Sequence, residues 1–311
     1  MLRVRAINEA RLFHEVGQFR PELALEQLDE PTLRQVVEER GVDFATALLY
    51  DRFRRSSRHG PFIDALEALP PGPDGGLPRL PWTVLVVPAA GYREMPAYDG
   101  DGLLCRSIAQ EFGMTARLVP TLSTGPVAAN ALIVREALAA EPERSVVLVT
   151  LSKGSAETRV ALAEPGPWQD RLHAWVQVGG VPRGTWLIDR IQQRWWRRLA
   201  LALLIRLRGL DSRLLEGFSR DAPGIAGPAQ APPGVLAISL IGFVLSSHVS
   251  GRIAARHAEL GSLGPNDGFT LILDSVLEPG FVYPVWGADH YFRVPTLSQT
   301  LYRVFRYLAP R

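Results

Sequence analysis

The feature that most constrains the fold of this chain is an alternation of strand and helix patterns that begins at residue 82. "WTVLVVPA" and "SVVLVTL" are unbroken apolar runs, whereas "DGLLCRSIAQEFG" and "VAANALIVREALAAE" have helical spacing. Continuous apolar strands are typical of a parallel sheet that is covered on both faces, because right-handed crossover connections place helices on each face. The sequence therefore predicts an α/β protein with a doubly wound, mostly parallel sheet.

The same alternation continues towards the carboxyl end with one long interruption. Strand patterns recur in "LHAWVQVGG", "VLAISLIGFV" and "GFVYPVWGADH", and "TLSQTLYRVFRYLA" predicts a final helix. Residues 183–233 contain no strand pattern. They hold an arginine-rich, amphipathic stretch followed by a stretch rich in Gly and Pro. We interpret these residues, called the insert below, as a helical cap.

Residues 1–78 have a different pattern. Their apolar residues are spaced at three and four, with breaks at Pro31 and Gly41, which predicts short helices. "LPPGPDGGLPRLP" then marks a boundary, since Pro and Gly at this density are typical of a linker. We therefore predict a helical N-terminal extension over 1–78 and one α/β domain over 79–311.

Composition argues against several classes of function. A net charge of +2 disfavours a nucleic-acid groove, and Cys105, as the sole cysteine, leaves neither an intrachain disulfide nor a cysteine-based zinc site. The Gly-rich stretch before residue 80 precedes its strand, so it cannot hold a phosphate at a helix start. No apolar run reaches the roughly 18 residues that span a membrane, and the first residues lack the apolar core of a secretory signal. We expect a cytoplasmic protein that binds no metal and no cofactor.

One serine follows a buried strand at the point where a helix begins. In "VVLVTLSKGSAE", Ser152 has Thr150 two residues before it and Gly154 two residues after it. A serine nucleophile on a strand-to-helix turn needs small residues at both positions, and threonine here replaces the usual first glycine. On this motif alone, Ser152 is as well explained as a turn serine that satisfies the start of the helix.

Two downstream motifs supply the other groups that a serine nucleophile needs. Serine requires an imidazole to take its proton, and the imidazole requires a carboxylate to fix its tautomer. Asp267 lies in an Asn-Asp-Gly turn, and His290 lies just past the last predicted strand. Such a turn is suited to presenting a side chain at the edge of a sheet.

Other acids and bases compete with these two. Asp274 in "LILDSVL" is an alternative acid, whereas Asp289 is disfavoured because neighbouring side chains of an extended segment point apart. His248 and His257 also follow a late strand, but neither has the terminal-strand context of His290. We favour Asp267 and His290 and keep Asp274 as the rival acid.

The loop after the first core strand, "VVPAAGYRE", is rich in small residues. Close approach of its backbone would let the N–H of Ala90 act together with the N–H of Lys153, the residue after the serine, as an oxyanion hole. An ordinary strand-to-helix turn has the same composition, so this loop carries no independent weight.

Taken in order, strand–"PAAG"–helix, "TLSKGS", "NDG" and "GADH" resemble the α/β-hydrolase superfamily over about residues 80–311. The segment from "NDG" to the histidine is similar to that of bacterial lipases. The resemblance implies a catalytic triad of Ser152, Asp267 and His290. It also implies a serine hydrolase that acts on a small-molecule carboxylic ester or thioester through an acyl-enzyme. An acyltransferase with the same acyl-enzyme and an inactive binding protein with this fold are the alternatives.

The sequence of the insert predicts that the acyl group is apolar. Its apolar positions recur every four residues from Leu187 to Leu203, which gives one helix face an apolar surface. We predict that Trp195, Trp196 and Leu199 bind an apolar acyl chain of medium or long length. The arginines among them favour transient contact with anionic lipid or an acidic acyl carrier. The alternative is a helix that packs permanently on the core, with its arginines in solvent.

Overall fold

Six parallel strands form the centre of the computed structural model, which describes residues 8–74, 76–141, 145–192, 196, 199, 203 and 217–310. The strands are β1 (Thr83–Val87), β2 (Thr115–Leu118), β3 (Val146–Leu151), β4 (Leu172–Val178), β5 (Ala229–Gln230), β6 (Leu236–Phe243), β7 (Leu277–Glu278) and β8 (Phe281–Trp286). The sheet has the order β2-β1-β3-β4-β6-β8, and β5 pairs with β7 beside it. The direction of progression reverses between β1 and β3, which is where sheets of this kind bind ligands.

Helices precede, separate and follow these strands. They are α1 (Glu9–Gln18), α2 (Glu30–Arg40), α3 (Val42–Arg55), α4 (His59–Glu67), α5 (Leu103–Glu111), α6 (Val127–Ala139), α7 (Gly154–Leu162), α8 (Trp186–Gln192), α9 (Gly251–Gly261) and α10 (Thr296–Leu308). None of the helices in the described ranges is long and apolar enough to cross a membrane. The prediction of a doubly wound, mostly parallel sheet is confirmed.

Successive residues of the central strands face opposite layers of helices. Val147 and Val149 of β3 belong to a core that includes buried residues of α4, α5 and α10. Leu148, between them, belongs to a second core with buried residues of α6 and α7. This alternation explains why β3 reads as an unbroken apolar run, since both of its faces are covered.

The N-terminal helices cover the part of the sheet formed by β6 and β8. Phe44 and Leu48 of α3 share a buried cluster with Ile241 and Phe243 of β6. Glu9 of α1 adds polar contacts at the same edge: its carboxylate lies 3.0 Å from an imidazole nitrogen and 2.7 Å from an indole nitrogen of the α/β region. These helices thus bury their apolar faces against the sheet, and the domain boundary near residue 78 stays a prediction.

Candidate active site

Ser152 lies in a sharp turn between β3 and α7. Its φ is 47°, in the left-handed region that residues other than glycine rarely adopt. The N–H of Ser152 donates to the carbonyl of Val178 at 3.3 Å, and its own carbonyl accepts from the N–H groups of Ser155 and Val181 at 3.1 Å each. Backbone strain of this kind persists only where surrounding contacts enforce it, and it is concentrated at functional sites.

The residues on either side of the turn explain how it is accommodated. A Cβ at position 154 would lie 2.6 Å from the carbonyl oxygen of Val87, so this position requires glycine. Thr150 is fully buried; its hydroxyl lies 2.8 Å from the hydroxyl of Ser155 and accepts a hydrogen bond from the indole N–H of Trp175 at 3.0 Å. A threonine therefore fits where glycine is usual, because its hydroxyl is fully paired in the core.

Ser152, His290 and Asp267 form one continuous chain of hydrogen bonds. Ser152 Oγ lies 2.9 Å from His290 Nε2, and His290 Nδ1 lies 2.8 Å from Asp267 Oδ2. A carboxylate acceptor at Nδ1 favours the tautomer with the proton on Nδ1, which leaves Nε2 as an acceptor for the serine hydroxyl. The structure thus brings together the three side chains that the sequence analysis selects.

The Asn-Asp-Gly turn holds the acid in place. Asp267 Oδ1 accepts hydrogen bonds at 2.8 Å from two backbone N–H groups further along the turn. The side chain of Asn266 is buried; its oxygen accepts from the N–H of Gly268 at 3.0 Å, and its amide donates to the carbonyl of His257. The backbone N–H of His290 donates to the carbonyl of Asp267 at 2.9 Å. Acid and base are therefore fixed to each other by the main chain as well as by their side chains.

The rival acids are engaged elsewhere. Asp274 is buried and forms ion pairs with Arg183 at 3.1 Å and Arg220 at 3.0 Å. Its burial raises its pKa to about 6, against the opposing effect of the two guanidinium groups. Asp289 Oδ1 accepts from the N–H of Tyr291 at 2.9 Å. Asp267 is the acid whose carboxylate is hydrogen-bonded to the imidazole of His290.

Two backbone N–H groups beside Ser152 are available to a ligand. The N–H groups on either side of Ala90 in the loop after β1 already donate to backbone carbonyls at 2.8 Å. Within the described part of the chain, the N–H groups of Ala90 and Lys153 have no acceptor. Both residues line the same cavity as Ser152. Unpaired backbone N–H groups are donors of the kind that stabilise an oxyanion, and the pairing of Ala90 with Lys153 for this purpose stays a prediction.

The side chain of Lys153 belongs to a buried polar network behind this loop. Its ammonium group donates to the carbonyl of Gly125 at 2.9 Å and pairs with the carboxylate of Glu157. Asn130 donates to the same carboxylate at 2.7 Å and bonds both backbone groups of Leu122 at 2.9 Å. Burial raises the pKa of Glu157. The sequence analysis missed this network, although its signal is present as Lys and Glu four residues apart on a helix.

Phe269 is a second residue that the sequence analysis missed. Its ring stacks on the imidazole of His290 with the centroids 4.5 Å apart and the planes at 23°. The stack limits rotation of the imidazole and helps to exclude water, since the side chains of His290 and Asp267 are only 3% and 2% exposed. Its only sequence signal is an aromatic residue two positions after the acid.

A cavity of about 990 Å³ opens at Ser152. Apolar side chains supply much of its lining: Met95, Tyr98, Leu104, Leu187, Ile188, Ile191 and Phe218. Cys105 also lines it, but burial raises the pKa of this thiol to about 12, so it stays protonated at neutral pH. Among the residues with described positions, no group of three or more His, Cys, Asp or Glu side chains could hold a metal ion.

The insert contributes to this cavity through α8 and Phe218. Trp195 lies outside the described residues. Trp196 and Leu199 are helical but 50% and 62% exposed, and neither lines the cavity as far as the structure describes it. Their role in binding an acyl group stays a prediction.

We expect Gly154→Ala to destabilise the fold, because the new Cβ would overlap the rigid backbone of β1. The free energy of unfolding in urea should fall by about 1–3 kcal/mol. Gly72→Ala is the matched control, since a Cβ at Gly72 meets nothing within 4 Å. Equal stability of the two variants would contradict the close approach of α7 to β1.

No protein-family model matches the chain, and no curated protein matches it in sequence. Solved structures are similar to it. The metagenomic carboxyl esterase MGS0156 has 22% identity and a TM-score of 0.59 over 76% of this chain and 80% of that chain. The mature lipase BlEst2 from Bacillus licheniformis has 16% identity and a TM-score of 0.51 over 72% and 91% of the two chains. EstA from Clostridium botulinum has 12% identity and a TM-score of 0.52 over 75% and 88%. With the strand order and the turn at Ser152, these likenesses establish that the chain has the α/β-hydrolase fold.

Proposed function

We propose that this protein is a serine hydrolase that cleaves a carboxylic ester or thioester, with Ser152 as its nucleophile. One observation carries the proposal: Ser152 Oγ is joined through His290 to Asp267 by hydrogen bonds of 2.9 and 2.8 Å at the edge of a large cavity. An imidazole that accepts from a serine hydroxyl and donates to a buried carboxylate is the arrangement that activates serine.

In the proposed reaction, Ser152 Oγ attacks the carbonyl carbon of the substrate while His290 Nε2 takes the hydroxyl proton. The N–H groups of Ala90 and Lys153 stabilise the negative charge on the carbonyl oxygen. His290 then donates the proton to the departing alcohol or thiol, which leaves an acyl-enzyme. Water attacks this ester in the second half of the reaction, with His290 as base. Another acceptor in place of water would make the same intermediate serve acyl transfer.

The strained turn supports an enzyme over an inactive binding protein with the same fold. A left-handed φ at a serine costs on the order of 1–3 kcal/mol. Here the strained turn holds the Ser152 hydroxyl 2.9 Å from His290 Nε2, which activation of a serine requires and ligand binding does not. Asp267 Oδ1 accepts from two backbone N–H groups, so its Oδ2 is the oxygen that remains for His290 Nδ1, at 2.8 Å.

The apolar side chains of α8 and Phe218 support an apolar acyl group of medium or long chain. Contact of the insert with anionic lipid or an acidic acyl carrier also stays a prediction, because Arg194, Arg197 and Arg198 lie outside the described residues. The cytoplasmic location that the sequence predicts likewise stays a prediction.

A fluorophosphonate probe should add one covalent adduct to the protein, and Ser152→Ala should abolish it, as measured by intact mass. Cys105→Ala is the control, because this thiol borders the same cavity but stays protonated. We expect the Cys105 variant to keep the adduct. Labelling that persists in Ser152→Ala would contradict the choice of nucleophile.

Asp267→Asn and Asp274→Asn should separate catalysis from stability. The first change favours the wrong imidazole tautomer, so turnover of an aryl ester should fall by roughly 10⁴-fold. The second change breaks a buried ion pair and should cost about 3–5 kcal/mol of unfolding free energy. Turnover per folded molecule should then stay near that of the parent. Loss of turnover in folded Asp274→Asn, with activity kept in Asp267→Asn, would show that the acid is misassigned.

The combined change Leu187→Ala and Ile191→Ala should weaken the preference for long acyl chains. Loss of two apolar side chains from the cavity should lower kcat/KM for an octanoate ester relative to acetate by about tenfold. Leu203→Ala, at a position 59% exposed, is the matched control. Trp195→Ala with Trp196→Ala tests the earlier prediction in the same assay. A preference for acetate that none of these changes alters would refute the insert as the acyl pocket.

A further inference from the structure

One side of the cavity is basic. Arg252 and Arg256 lie one turn apart on α9, and Arg293 follows His290 by three residues. All three line the cavity that contains Ser152. We infer that the substrate carries an anionic group on its leaving-group side, and that these arginines, called the basic wall below, bind it. This inference rests on the proposed function and specifies its substrate class.

Among the described residues, neither acidic residue of the lining forms an ion pair with an arginine of the basic wall. Asp99 accepts hydrogen bonds from the first N–H groups of α5, at 3.1 Å in the case of Leu103. Glu259 lies 3.8 Å from Arg190, which also donates to its carbonyl. In the described part of the chain, Arg252 has no ion-pair partner. A cation without a partner beside a catalytic cavity is suited to a charged ligand.

Arg256 connects the basic wall to the reacting groups. Its guanidinium carbon lies 5.7 Å from the centroid of the Phe269 ring, and the same ring stacks on His290. One guanidinium nitrogen donates to the hydroxyl of Tyr291 at 3.4 Å. A guanidinium that is held by aromatic groups keeps further N–H groups free for bidentate bonds to a carboxylate or phosphate.

Arg293 lies against two stacked tyrosine rings. Tyr98 and Tyr291 have centroids 4.7 Å apart, and the guanidinium carbon lies 5.4 Å from each. Asp289 is 3.9 Å away, which is too far for a hydrogen bond, and the Arg293 side chain is 57% exposed. This arginine therefore presents charge to solvent near the cavity, where it can attract an anion.

The basic wall is formed by other elements than the apolar side chains of α8 and Phe218, called the apolar wall below. These apolar side chains lie on α8 and at Phe218, whereas the arginines lie on α9 and in the segment after His290. The last two elements also contribute apolar residues, such as Ile253 and Val294, to the lining. An ester or thioester with an apolar acyl part and an anionic alcohol or thiol part matches the apolar wall and the basic wall of the cavity. Carboxylate and phosphate groups share the chemistry that guanidinium recognises.

The test compares the butyrate ester of para-nitrophenol with the butyrate ester of its meta-carboxylated derivative. A third ester, with a phosphonate in place of the carboxylate, distinguishes a carboxylate site from a phosphate site. The parent should show a higher kcat/KM for an anionic ester by roughly tenfold, and salt should reduce this preference. Arg252→Gln and Arg256→Gln should each lower the ratio of anionic to neutral kcat/KM by roughly fivefold. Arg135→Gln, on α6 and paired with Glu164, should leave the ratio unchanged.

Equal kcat/KM for the neutral and anionic esters in the parent would overturn the basic wall while leaving the hydrolase intact. A ratio that the two α9 variants do not change would overturn it as well. If neither ester is cleaved, the proposed function fails, and calorimetry with the carboxylated phenol decides the inference separately. Binding that Arg256→Gln weakens would support the basic wall, and absence of binding to the parent would overturn it.

Discussion

The geometry of the site depends on how closely the start of α7 approaches the end of β1. Gly154 permits this approach, since a Cβ there would lie 2.6 Å from the carbonyl oxygen of Val87. The chain must then reverse within one residue, which places Ser152 at a φ of 47°. As a result, Ser152, Lys153 and Ala90 line one cavity. The absence of a Cβ at position 154 is thus the condition for bringing the proposed nucleophile and the proposed oxyanion donors to one cavity.

The buried pair of Lys153 and Glu157 gives this arrangement a rigid base. Two charges taken out of water are costly unless each has further hydrogen bonds, and here Gly125 and Asn130 supply them. The loop that contains Gly125 is also bonded to the loop after β1, because the carbonyl of Ser123 accepts a hydrogen bond from the N–H of Gly91 at 2.8 Å. Both proposed oxyanion donors are therefore fixed to the same polar network. The lysine directly after Ser152 thus has a structural role, in addition to the backbone N–H that we propose as an oxyanion donor.

Local signals explain what could be predicted from the sequence. The sheet is marked by apolar runs, and Asp267 and His290 are marked by a tight turn and a strand end, all of which are short-range patterns. The pairing of Thr150 with Trp175, the stack of Phe269 on His290 and the packing of the N-terminal helices on β6 depend on contacts distant in sequence. Helix α9 was missed because it begins and ends with glycine, a residue that is typical of turns.

If the cavity binds the substrate that we propose, the relation between α8 and α9 determines how its two ends are placed. Arg190 of α8 donates to the carbonyl of Glu259 on α9 at 3.1 Å, which joins the helix with the apolar side chains to the helix with the arginines. Ser152 lines the same cavity as both helices. The distance between the basic wall and the apolar wall is therefore set by the folded helices before a substrate binds. Selectivity in such a site follows from how well the apolar and anionic ends of one molecule match that separation.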